Sequence, residues 1–201
     1  MNEAIAKPRA HAQECHGIYA STLYAAEECA AVLAEARALD AWYVAEITVE
    51  DSDGVAQDIQ DASTRSARIL DGAKGAAILE QFEARVRREV LPLIREIWGV
   101  ELPELLGTQL VHYQPGGHYS AHQDGGGGAY ANRYFTVLCY LNADFDGGQT
   151  SFPTVPYAAC PETGKVVIFP SMYYHCAEPV TRGEKYVLVT WACGPVPVQW
   201  I

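Results

Sequence analysis

The stretch YQPGGHYSAHQD, Tyr113 to Asp124, decides how this chain is read. It places an imidazole, His122, and a carboxylate, Asp124, two residues apart. On extended backbone, side chains at i and i+2 point to the same face, so the two groups can hold one ion side by side. A third ligand must come from elsewhere in the chain. His175, in a segment of strand character, supplies an imidazole fifty-one residues beyond Asp124. A His-x-Asp triplet also arises by chance, and a lone histidine is commonly a hydrogen-bonded surface or core residue. His11, His16, His112 and His118 take that ordinary reading. His112 alternates with Val111 and Tyr113 and so faces the opposite side of its strand.

Outward from this stretch the chain changes character at Thr108. Short β-rich runs alternate with turns: TQLVHY, RYFTVLCYLN, GQTSF, KVVIFP, HCAEPV and EKYVLVTW. Upstream, WYVAEITVE (Trp42 to Glu50) and Thr64 to Leu70 are two more candidate strands, with a turn at DSDG, Asp51 to Gly54. Ser21 to Leu39 has helical spacing at Cys29, Val32, Leu33 and Ala36. Gly75 to Trp98 carries an apolar stripe at Ile78, Phe82, Val86, Val90 and Ile94, with Pro92 expected to kink or split the helix and Gly99 to end it. Residues 1–18 read as a loose arm. The pattern predicts an α+β, jelly-roll (cupin-like) barrel of antiparallel strands with supporting N-terminal helices. A single domain covers 1–201, with 1–106 mainly helical support plus the first strands and 107–194 the barrel core.

Composition bounds the function classes. The chain has 201 residues, 49% of them hydrophobic, enough for one substantial core. A net charge of −11 disfavours nucleic acid and anionic membrane surfaces as partners. No apolar run is long enough to span a bilayer. Six scattered cysteines without a CxxC read as reduced thiols in a cytoplasmic protein. The oligomeric state is left open.

Lys185 is the unusual residue. In KYVLVTW it shares one face with Val187, Val189 and Trp191. An ammonium on an apolar face either lies at a strand end and reaches water, or is buried and needs a counter-ion. A dicarboxylate chelating the ion through its 2-oxo acid end could supply that counter-ion, with hydroxyl groups of Tyr113 and Tyr140 beside it. Two histidines and one carboxylate leave coordination positions open, the facial triad of non-haem Fe(II) oxygenases.

Together, QLVHYQPGGHYSAHQD, RYFTVLCYLN, GGQTSFP, GKVVIFP and HCAEPVTRGEKYVLVTW, from Gln109 to Trp191, resemble the prolyl 4-hydroxylase-like branch of the Fe(II)/2-oxoglutarate-dependent dioxygenases in order, spacing and residue type. A weaker echo runs through STRS (Ser63 to Ser66) and Glu101 to Leu106. The resemblance implies a double-stranded β-helix, with His122, Asp124 and His175 as the catalytic iron ligands and Lys185 on the distal carboxylate of 2-oxoglutarate. It makes Tyr113, Tyr140, Thr136 and Trp191 pocket residues and admits ascorbate as a reductant. It implies hydroxylation of an unactivated C–H bond with succinate and carbon dioxide as co-products. Halogenating relatives have a small residue where this chain keeps Asp124, which favours oxidation without halide.

The substrate is read as a free small molecule, such as an amino acid or biosynthetic intermediate. Arg133 and Tyr119 are the candidate substrate contacts, with Arg65, Arg68, Tyr130 and Tyr134 as further cations and rings near the site or in the core. No peptide-binding module of the collagen-modifying kind is recognisable. A peptidyl-prolyl hydroxylase, and a jelly-roll metal protein that does not use 2-oxoglutarate, are the alternatives. The Gly125–Gly128 run reads as a mobile loop, either a lid over substrate or a plain connector.

Overall fold

Alternation along the β-rich half builds two facing sheets. The computed structural model describes residues 11–50 and 55–195. In chain order the first half holds β1 (His11–Cys15), β2 (Ile18–Thr22), α1 (Ala26–Ala38), β3 (Trp42–Val44), β4 (Ile47–Glu50), β5 (Ala56–Ile59), β6 (Arg65–Ser66), β7 (Arg68–Leu70), α2 (Ala76–Arg85), a π-helical turn (Val86–Val90) and α3 (Leu91–Trp98). The second half holds β8 (Glu104–Tyr113), β9 (His118–His122), a short 3₁₀ turn (Gly128–Tyr130), β10 (Arg133–Tyr140), β11 (Asp146–Gly147), β12 (Thr150–Phe152), β13 (Tyr157–Ala159), β14 (Lys165–Pro170), β15 (His175–Ala177), β16 (Val180–Arg182) and β17 (Lys185–Cys193).

The major sheet runs β1-β2-β14-β10-β17-β8-β7-β3, and the minor sheet runs β13-β12-β15-β9-β6. All nine residues of β17 are buried. Leu188 and Ala192 on one face pack with Val32, Leu33, Phe82 and Ile94 from the helices. Val187, Val189 and Trp191 on the other face pack with Phe152 and Phe169, between the sheets. This double burial explains why both faces of KYVLVTW are apolar.

The Gly75–Trp98 pattern is one helical rod with a wide turn in it. Pro92 has no N–H to offer the Arg88 carbonyl, and its ring crowds that position. The π-helical turn immediately upstream absorbs the conflict. It also takes up the drift that a four-residue repeat accumulates on a 3.6-residue helix, so Ile78, Phe82, Val86, Val90 and Ile94 all stay buried. Gly99 ends the rod in the left-handed conformation, φ 69°.

Several expected boundaries move. Residues 11–18 are not a loose arm: β1 and β2 form an antiparallel hairpin, and β2 pairs with β14 because Ile18 and Ala20 turn into the core. Residues 1–10 lie outside the described part. The first helix starts at Ala26 rather than Ser21, since Ser21 and Thr22 complete the ladder to Val166 and Lys165. The Trp42–Glu50 segment splits: β3 joins β7 in the major sheet, while β4 and β5 form a separate hairpin. Its DSDG turn is outside the described residues. Thr64–Leu70 also splits, and here the chain changes sheets, with β6 pairing β9 and β7 pairing β8 on either side of Ala67. TQLVHY extends back to Glu104, and HCAEPV is two strands rather than one.

Candidate metal centre and cavity

His122 and His175 face each other across the β9–β15 ladder as register partners. Their ring centroids are 4.3 Å apart. Asp124 follows β9, anchored by its N–H donating to the Ser171 carbonyl at 2.9 Å. His122 Nε2 lies 3.4 Å from Asp124 Oδ1, and His175 Nε2 lies 3.3 Å from Oδ2. Three donor atoms within 4.8 Å of one another suit one ion, since an octahedral cation with bonds of about 2.1 Å spaces adjacent donors about 3 Å apart.

The rings are also correctly aimed. His122 Nδ1–H donates to the Ser120 carbonyl at 2.8 Å, and His175 Nδ1–H to that of Tyr173 at 3.0 Å. Each Nε2 then keeps a lone pair for the ion. Thr136, buried on β10, donates its hydroxyl to Asp124 Oδ2 at 2.8 Å and orients the carboxylate. Burial alone would raise the Asp124 carboxyl, but the two imidazoles beside it hold it well below the usual carboxylate range. Burial lowers His122. At His175 burial pulls the same way, and the Asp124 charge outweighs it, so that ring is raised.

These groups line a cavity of about 490 Å³ between the sheets. Lys185 reaches it from the first position of β17. It is 1% exposed, and its ammonium donates to the Gly148 carbonyl at 2.7 Å. Its nitrogen sits 4.9 Å from the Tyr113 ring centre and 5.4 Å from that of Tyr140. No carboxylate of the described residues pairs with it, and burial pushes it down to about 7. An unpaired ammonium in a cavity that also holds three candidate metal ligands fits a chelating dicarboxylate.

The other candidates separate. Tyr113, Thr136, Trp191, Arg133, Tyr119, Arg65 and Tyr130 line the cavity. Tyr140 is fully buried but is not among the lining residues; its hydroxyl donates to Thr150 Oγ1 at 2.7 Å. Thr150 takes that place on the wall, a residue the sequence reading missed although alternation in TSF puts it on the inner face with Phe152. Tyr119 stacks on His122 with centroids 3.6 Å apart, and Arg65 lies 4.7 Å over the Tyr119 ring. Arg68 is exposed and bonds the Trp42 carbonyl, and Tyr134 packs on the helix side of the sheet. His112 stacks on Tyr186, away from the cavity, and His118 is held by two backbone carbonyls. Tyr130, just past the glycine run, hydrogen-bonds Thr48 of the β4–β5 hairpin at 2.6 Å. The hairpin and the loop therefore meet at the cavity wall.

Residues 108–193 match the profile of the 2OG-Fe(II) oxygenase superfamily. A PKHD-type hydroxylase of Sphingopyxis alaskensis is 32% identical over 98 residues, covering 44% of this chain and 44% of that protein. A provisionally named prolyl 4-hydroxylase of Acanthamoeba polyphaga mimivirus is 31% identical over 107 residues, covering 41% and 43%. The chain thus spans less than half the length of these two relatives. A Pseudomonas putida prolyl-4-hydroxylase structure superposes with a TM-score of 0.64 at 22% identity, covering 89% of this chain and 93% of that one. A viral collagen prolyl hydroxylase from Paramecium bursaria Chlorella virus-1 gives 0.61 at 18%, covering 89% and 97%. These two likenesses establish the double-stranded β-helix fold. The matched segment holds His122, Asp124, His175 and Lys185, and the family it resembles uses Fe(II) and 2-oxoglutarate.

Proposed function

We propose that the chain is an Fe(II)/2-oxoglutarate-dependent dioxygenase that hydroxylates an unactivated C–H bond of a small molecule, such as an amino acid or biosynthetic intermediate. The observation that carries this reading is the sharing of one cavity by an open three-ligand site and a buried ammonium with no carboxylate partner among the described residues. Iron, 2-oxoglutarate and dioxygen supply the oxidising power, with succinate and carbon dioxide as co-products. The chain's own groups position and protect. His122, Asp124 and His175 hold the ion, and Thr136 fixes the carboxylate that completes the set. Lys185 takes the distal carboxylate of the co-substrate, with Tyr113 and Thr150 on the wall beside it. Val187 and Val189 keep that wall dry.

The relatives' names favour a second reading, a prolyl residue of a peptide. Exposed apolar side chains at Tyr43, Val49 and Ile59, on and beside the β4–β5 hairpin, give it a surface to rest on. A cytoplasmic location belongs to the first reading and is supported by six unpaired cysteines. No helix among the described residues is long and apolar enough to cross a membrane.

The test is the visible charge-transfer band of the anaerobic Fe(II)–2-oxoglutarate chelate, followed by succinate release on admitting oxygen with amino acids, small metabolites and prolyl peptides. The band is expected in the parent protein and absent in His175→Ala. Metal bound without any band would sink the 2-oxoglutarate reading. Stimulation by prolyl peptides alone would replace the small-molecule substrate by the second reading.

A further inference from the structure

The inner face of β17 runs from Lys185 at one end of the cavity to Trp191 near the other, about 20 Å along an extended strand. The two ends differ in what they leave unpaired. At the Trp191 end, Arg133 is clamped between rings, 3.8 Å from Trp191 and 3.9 Å from Tyr130. Its guanidinium donates to the Asp124 backbone carbonyl at 3.2 Å and forms no ion pair with an acid of the described residues. Arg65 bonds two neutral acceptors, the Glu46 carbonyl at 3.0 Å and Gln109 Oε1 at 3.2 Å. Its Nε and the Trp191 indole Nε1 are buried donors with no partner. Gln109 pairs with Val189, two residues from Trp191, which brings the Arg65 contact to the same end. Gly107 makes room there: a Cβ would fall 2.7 Å from the Trp191 ring and 3.2 Å from the Arg133 guanidinium.

Two guanidinium groups without acid partners among the described residues are unexpected in a protein of net charge −11. The rim acids do not answer them. Glu46 offers Arg65 only its backbone oxygen, and Asp58 accepts the Thr48 hydroxyl. Unmet donors cost free energy when buried, and planar guanidinium forks match carboxylates.

We propose that the end of the cavity remote from Lys185 is a carboxylate-binding subsite, formed by Arg65, Arg133 and the Trp191 indole N–H, and that the substrate is a free carboxylic acid. This rests on the proposed function only in giving the Lys185 end to 2-oxoglutarate. An interior prolyl residue of a peptide brings carbonyl oxygens but no charge to such a site. The free acid satisfies the donors and sets its neighbouring carbons beside the metal ligands, since Arg133 bonds the backbone of Asp124 itself.

The experiment uses protein loaded with Zn(II) and 2-oxoglutarate and follows the Trp191 indole N–H by 15N NMR, assigned through Trp191→Phe. Propionate, benzoate and L-leucine are each titrated against their primary amides, with inorganic phosphate alongside. At least one acid should shift the resonance saturably, its amide binding at least about tenfold more weakly. Arg65→Gln should lose about the same factor, and Arg65→Lys, which keeps the charge without the fork, should lose less. Acid and amide titrating alike, phosphate binding in preference, or no acid shifting the resonance would each overturn the subsite. The iron band is measured separately. Its absence would count against the proposed function and leave the acid–amide comparison to stand on its own result.

Discussion

Lys165 and Lys185 are 7% and 1% exposed, the first at the head of β14 and the second at the head of β17. Lys165 is met by the chain itself, with Glu14 at 2.7 Å and Glu162 at 3.3 Å. Burial pulls its ammonium down, and the two carboxylates outweigh that and raise it. Lys185 meets one carbonyl and two aromatic rings, and burial wins. A hidden charge whose counter-ion is built into the fold is structural. A hidden charge whose counter-ion is missing marks a place for a ligand. The same contrast separates His118, both of whose nitrogens are taken by backbone, from His122 and His175, each of which leaves Nε2 facing the cavity.

The sharpest way to break this contrast is Lys185→Met. The 2-oxoglutarate affinity should fall by about 2–5 kcal/mol, some thirtyfold to several thousandfold, in a band titration. The ligand-free protein should melt at a higher temperature, because an unpaired charge has left the interior. Unchanged affinity would remove Lys185 from the site.

Next in size is the pH dependence. The folded-state ammonium, near 7, lies below its ordinary value, so between about 7 and 10.5 the unfolded chain binds the extra proton. Stability of the ligand-free protein should therefore rise with pH through that window, and the penalty is fully present below it. Affinity for 2-oxoglutarate should move the other way, weakening by up to about tenfold per unit as pH climbs above 7. Lys185→Met should flatten both slopes, and slopes unchanged by the variant would assign them to other groups.

The smallest effect is at Lys165. Lys165→Met should lower thermal stability by no more than about 1 kcal/mol, its partners being partly solvated, and leave the band untouched. A rise in stability would mean that the two lysines are not opposites after all.

What the sequence showed follows from what alternation and spacing can encode. The grouping of His122, Asp124 and His175 and the burial of Lys185 could be anticipated because spacings of two, fifty-one and ten residues match the family resemblance without knowledge of sheet pairing. The strand His118–His122 was not among the β-rich runs, and its ladder to β15, which sets His122 opposite His175, is long-range and invisible in either segment. Thr150 went unread because its place on the wall depends on the Tyr140 hydroxyl being capped by Thr150 Oγ1, a packing outcome that no pattern records. The sheet change at Ala67 was hidden because both halves of STRSARIL look extended. The π-helical turn was half legible: Pro92 announced a disturbance, and the turn, Val86–Val90, lies just upstream of it.

β17 lies between β10 and β8, at the middle of the eight-stranded sheet, yet it follows both in chain order. During synthesis the sheet must wait as two half-built pieces, with bare edges at β10 and β8, until Lys185–Cys193 leaves the ribosome. Those edges are open templates for wrong pairing. The segment that closes the gap also brings the ammonium, so the nascent protein acquires its central strand and its unpaired charge in a single late event.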